Sequence, residues 1–175
     1  LEELKNYIRW QVYTALAFGA KGIQYYCYYL PDTKSKTKGR AVIDKDGNKT
    51  AVYDFIKELN FDIKETGKIL LNCDAESVIS DNNENLYKKP LKDFDMINSI
   101  NGRDYTAGCF TDKDGNKKVL ITGNSAQSGA EAVLNLNDSV KMANIYIGTS
   151  KYAVAPKENK LNVNVNAGDA VFIEF

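Results

Sequence analysis

A chain of 175 residues with 23 basic and 23 acidic side chains has no formal net charge, and 43% of it is hydrophobic. Balanced charge gives no electrostatic reason to bind nucleic acid or an anionic membrane surface, and no apolar run reaches the ~18 residues that crossing a bilayer takes. The absence of histidine removes histidine zinc sites, Ser-His-Asp and Cys-His catalysis and histidine haem ligation, and Cys27, Cys73 and Cys109 are too scattered for a Cys-x-x-Cys centre. Each cysteine reads as a small buried hydrophobe. No glycine-rich phosphate loop is present. No metal and no cofactor is therefore expected.

The first helix is under way at Leu1, with no Ser, Thr or Asp ahead of it as a cap. The chain is accordingly expected to be a piece of a longer protein, the alternative being a natural N-terminus lost in a frayed turn. Ile8, Val12, Ala15 and Leu16 fall on one helical stripe, while Glu2, Glu3, Lys5, Arg9 and Gln11 crowd the opening turns. Residues 12–20 carry no charge, so most of that helix surface should be covered. Gly19 is placed for a left-handed cap. Residues 22–29, aromatic and uncharged, then read as a strand buried on both faces, closed by Pro31.

Residues 32–40, with Lys34, Lys36, Lys38 and Arg40, read as a solvated loop. A short strand over 41–44 leads into a turn with Gly47 at positive φ. Thr50 is a candidate cap for a helix over 51–71, in which Val52, Ile56, Leu59, Ile63 and Leu70 recur at helical spacing. Lys57, Glu58, Lys64 and Glu65 take its outer face. Asp44 and Glu58 read as turn and surface residues rather than catalytic acids.

After Asn72 the texture changes. Residues 72–105 are polar, with short strands at Val78-Ile79 and Tyr87. Strands are expected over 105–111, 118–123, 130–136, 142–147, 160–166 and 170–175. Leu161, Val163 and Val165 alternate with Asn162, Asn164 and Asn166, so one face should be buried and one wet. Short strands separated by turns argue for an antiparallel sandwich. Asp-Lys-Asp-Gly-Asn-Lys occurs at 44–49 and again at 112–117. As a calcium loop it fails, because Phe55 and Gly123 stand where the twelfth-position acid belongs. It reads as a turn.

The run Arg9-Trp10, Ala15-Leu16-Ala17-Phe18-Gly19-Ala20-Lys21-Gly22, Tyr25-Tyr26 and Tyr28 resembles the last helix–strand unit of clan-A glycoside hydrolase barrels. The beta-galactosidase-like members carry a similar "aLAhGAdGvlyF.W" run. Tyr28 stands where those enzymes often place tryptophan, and Phe18 where some place histidine. The pieces "GcF.D.dGnkkvLI" and "l.v.aGDavfiEf" resemble the small β-domain that follows many such barrels. The resemblance implies an α+β chain. Residues 1–72 would be the last helix–strand–helix elements of an incomplete (β/α)8 barrel, and residues 73–175 an antiparallel β-sandwich accessory domain.

Those enzymes cleave O-glycosidic bonds with two glutamates held in one pocket. Both lie on earlier barrel strands, which this chain does not contain. A whole barrel takes about 250 residues. The resemblance thus implies no catalytic residue here and no hydrolysis by this chain alone. It points Tyr28, and after it Tyr26, toward the barrel mouth as substrate-binding residues, since an aromatic face stacks on the C–H face of a sugar. The competing reading makes both tyrosines packing under the helices. Implied partners are carbohydrate and whatever covers residues 1–31, either the remainder of the barrel or another chain. A self-contained, non-catalytic carbohydrate-binding or cell-surface module is the alternative, and a small α/β enzyme with its own site is a weaker third.

Overall fold

The structure, a computed structural model, describes residues 1–29, 41–81, 84–88, 91 and 94–175. The polar loop read over 32–40 lies outside the described residues. Two helices come first, α1 (Glu2–Ala17) and α2 (Tyr53–Leu70). Ten strands follow: β1 (Cys73–Ser80), β2 (Glu84–Lys88), β3 (Ile97–Arg103), β4 (Tyr105–Asp112), β5 (Lys117–Gly123), β6 (Ala130–Leu136), β7 (Ala143–Ile147), β8 (Ser150–Val154), β9 (Lys160–Val165) and β10 (Ala170–Glu174). They form a seven-stranded sheet, in the order β2-β1-β4-β5-β10-β7-β8, and a three-stranded sheet, β3-β6-β9. Neighbouring strands pair antiparallel throughout both sheets. The chain is α+β, with its strands stacked as a sandwich. Among the described residues, no helix is long and apolar enough to cross a membrane.

Side-chain alternation builds two cores from one sheet. Along β4, β5 and β10, Ala107, Cys109, Val119, Ile121, Val171 and Ile173 point to one face. There they meet Ile100, Leu134, Leu161 and Val163 of the three-stranded sheet. Phe110, Leu120, Ala170 and Phe172 point to the other face. That face receives Val12, Leu16 and Ala17 of α1 and Phe55, Ile56, Leu59 and Leu70 of α2. The seven-stranded sheet is therefore the middle layer. Fully burying a Phe or Leu side chain stabilises by about 1.5–3 kcal/mol.

Local sequence explains the helix ends. At the C-terminus of α1, Gly19 N–H donates to Leu16 O at 2.9 Å and Ala20 N–H to Ala15 O at 3.0 Å, with Gly19 at φ 89°. This is the left-handed cap expected of that glycine. Next to it, β4 carries Gly108, where a Cβ would sit 2.1 Å from Ala17 O. The helix backbone rests directly on the strand backbone. Thr50 does not cap α2 as expected, because the helix starts at Tyr53 after Val52. Its hydroxyl instead donates to Ala41 O at 2.6 Å and accepts from Val52 N–H at 3.3 Å, bracing the approach.

The strand expected over 22–29 does not form. Among the described residues its one β-bridge is the isolated parallel pair Tyr29 and Ile43, and Ile43 bridges in turn to Lys49. No ladder partner comes alongside among the described residues. Strands buried on both faces do occur, but they are β4, β5 and β10 of the antiparallel sheet.

Candidate functional site

Residues 20–29 form an irregular segment beside α1, bent at Lys21, Tyr26 and Tyr28. Their carbonyls hold the 41–43 segment: Val42 N–H donates to Cys27 O at 3.3 Å and Ile43 N–H to Tyr28 O at 2.7 Å. The Tyr26–Cys27 peptide bond is cis. Ile23, Tyr25 and Cys27 are half-buried, whereas Gly22, Gln24, Tyr26 and Tyr28 face out. Tyr25 is anchored, its hydroxyl donating to Asn60 Oδ1 at 2.8 Å, and burial raises its pKa. Tyr29 donates to Lys45 O at 3.2 Å. The outward pair is not packed: Tyr26 is 96% exposed and Tyr28 62%.

Between this segment and α1 lies a groove of about 430 Å³. Ile8, Val12 and Ala15 form its helical wall, and Ile23, Tyr25 and Tyr26 form the other. Gln11 and Gln24 supply its amide groups. Gln11 donates to Tyr7 O at 3.1 Å, which leaves its carbonyl oxygen free to accept. Among the described residues no aspartate or glutamate lines it. The arrangement suits binding by aromatic stacking and amide hydrogen bonds. It holds no acid pair for proton transfer. Among the described residues no three acidic, thiol or imidazole groups come close enough to hold a metal ion.

The structure thus sets Tyr26 on the rim of the groove, while Tyr28, two residues further along, is exposed and does not line it. Gln11 and Gln24 were not singled out by sequence. Gln11 reads as one more polar residue of the opening turns, and its place beside Ile8 and Ala15 on the groove wall is the signal that would have found it. The sequence matches no protein-family model and no curated protein.

Proposed function

We propose that this chain is the C-terminal part of a glycoside hydrolase that cleaves O-glycosidic bonds with two glutamates lying on polypeptide outside this sequence. One observation carries the reading. Tyr26 lines the groove beside α1 and Tyr28, two residues on, is exposed, and both contribute little to the chain's own core. Exposed aromatic side chains beside a groove give a ligand surfaces to stack on. On this reading α1, residues 22–29 and α2 are the closing elements of a (β/α)8 barrel, and the sandwich is its accessory domain. Residues 22–29 become a ladder strand when neighbouring barrel strands flank them. The remainder of the barrel and a carbohydrate are then the two partners of this face, with Tyr28 stacking on the sugar and Tyr26 beside it.

The test uses the full-length protein that contains this sequence, assayed on a panel of aryl glycosides. Hydrolysis of at least one is expected, and none by residues 1–175 alone. Tyr28→Ala in the full-length protein is expected to raise KM by about tenfold, the equivalent of one aromatic contact of roughly 1.4 kcal/mol. Unaltered KM and kcat would take Tyr28 out of the site. A full-length protein inert on every glycoside would sink the hydrolase.

A second reading, a non-catalytic carbohydrate-binding module, is favoured by the core that the helices share with the sheet. It predicts saturable sugar binding by the isolated chain, lost in Tyr26→Ala and Tyr28→Ala. The hydrolase reading predicts that only the full-length protein binds well.

A further inference from the structure

The middle sheet changes character along its helix-covered face. Leu120, Phe172 and Tyr146 stand side by side in register on β5, β10 and β7 and pack in the core under the helices. Two residues along each strand, on that same face, the row becomes Lys118, Glu174 and Asn144. A cleft of about 320 Å³ opens over this polar row. Asn72, just past the end of α2, and Asp112 and Asn116, at the turn between β4 and β5, form its other polar walls.

Lys118 is the centre of the row. Its side chain is 5% exposed, yet among the described residues its ammonium makes a single hydrogen bond, to Asp112 Oδ2 at 2.6 Å. Glu174 Oε1, at 4.0 Å, is an ion-pair neighbour beyond hydrogen-bond reach. An ammonium has three N–H donors, so two are unspent. The half-buried Asn144 makes no side-chain hydrogen bond among the described residues. Asn72 and Asn116 each spend an N–H, on Lys68 O at 3.1 Å and Asp112 Oδ2 at 2.9 Å, and keep their carbonyl oxygens. Buried polar groups are normally satisfied, so a buried ammonium with spare donors, ringed by spare amide groups, fits a ligand that completes the bonding.

We propose that this cleft binds a vicinal diol, two neighbouring hydroxyls of a neutral polyol or sugar. Each hydroxyl both donates and accepts. The Lys118 ammonium and the Asn144 amide supply donors, and the carbonyls of Asn72 and Asn116 and Glu174 Oε1 supply acceptors. Charge is already balanced: Asp112 and Glu174 face Lys118, and Glu174 Oε2 also lies 4.0 Å from Lys151 Nζ. A charged ligand would upset that balance, and an apolar one would leave the polar row unpaired. A volume of about 320 Å³ is at the small end of ligand pockets, which suits a short polyol or a single sugar ring. The cleft shares no residue with the groove beside α1, so the inference is independent of the glycosidase reading.

The test titrates the chain with glycerol and, separately, with methyl α-glucopyranoside, an open and a ring-held diol, and follows backbone amides by two-dimensional NMR. Ethylene glycol dimethyl ether, whose oxygens accept but do not donate, is the control. Saturable shifts are expected at Asn116, Lys118, Asn144 and Glu174 with at least one diol, and none with the ether. Which diol binds tells a free polyol from a sugar as the source. Asn144→Ala removes an amide that holds no other side chain, so folding is retained. It is expected to weaken binding by about tenfold, the equivalent of one or two ordinary hydrogen bonds. The double variant Tyr26→Ala, Tyr28→Ala is expected to bind as the parent does. Absent or unsaturable shifts with both diols, equal shifts with the ether, unchanged affinity in Asn144→Ala, or loss of binding in the tyrosine double variant would each overturn the proposal.

Discussion

At Gly108 the strand has no room for a side chain, since a Cβ would meet the Ala17 carbonyl at 2.1 Å. That contact is backbone on backbone, so α1 must lift to accept even a methyl group. Gly108→Ala is expected to destabilise by about 1–3 kcal/mol, read as a lower urea midpoint. Gly67 is the counter-case, inside α2 with nothing within 4 Å of its missing Cβ. Gly67→Ala is expected to stabilise by up to about 1 kcal/mol. The cysteines give a second residue-level prediction. Burial pushes the Cys109 thiol up to about 12 and raises that of Cys73, whereas Cys27 is half-buried on the groove wall. Iodoacetamide on the native protein should label Cys27 first, as read by mass spectrometry, and Cys109 only after unfolding.

Two turns of one sequence test the electrostatics of an element. Asp44 Oδ1 accepts from Asp46 N–H at 2.9 Å and Asn48 N–H at 2.8 Å. Asp112 Oδ1 does the same for Asp114 and Asn116, both at 2.9 Å. Gly47 and Gly115 take φ 83° and 86° at the bends. Asp112 also binds the ammonium of Lys118, 4% exposed, at 2.6 Å. Lys118 is the largest cause holding the Asp112 carboxyl far below the usual carboxylate range, while the Asn48 N–H leads for Asp44. A depressed native pKa adds stability above the unfolded value of about 3.9 and loses it as pH falls. Asp112→Asn should therefore cost most at pH 7 in urea titrations, and the gap to the parent should close toward pH 2. Asp44→Asn should show the same sign with a smaller gap. Asp62, raised by burial, has the opposite sign: Asp62→Asn should gain on the parent near neutral pH and lose that gain in acid.

Elements were legible where one residue pattern decided them. β9 exposes Asn162 and Asn164 and buries Leu161, Val163 and Val165, as strict alternation required. β1 was visible only at Val78-Ile79, because its first half mixes buried Cys73 with charged Asp74 and Glu76. Glu76 is matched by Lys117 at 3.8 Å, a tertiary pairing that no local pattern announces. β8 is an edge strand whose residues are mostly exposed, so it carries no apolar face to read. Residues 22–29 have strand composition, but a ladder needs neighbours, and composition does not supply them.

On the scale of the whole molecule, the stripe of Val12 and Leu16 is buried as its composition implies, and the resemblance places its cover outside the chain. Much of that cover is the chain's own sheet, at Phe110, Leu120 and Phe172. A cleft between α1 and α2 is illegible in the sequence for a related reason: Tyr13, Asp62 and Asp169 come from three distant segments. Layering also sets the order of protection. Amides of β4, β5 and β10, walled on both sides, should exchange most slowly with deuterated solvent. Amides of residues 22–29, outside any ladder, should exchange among the fastest.

The middle sheet's second apolar face has a practical corollary. Severing the chain between Asn72 and Cys73 would strip the helical roof from Phe110, Leu120, Ala170 and Phe172 at once. Residues 73–175 made alone should light up with the dye ANS and self-associate in sedimentation, while the full 175-residue chain stays dispersed. Anyone wanting the sandwich by itself would first have to repaint that face with polar side chains.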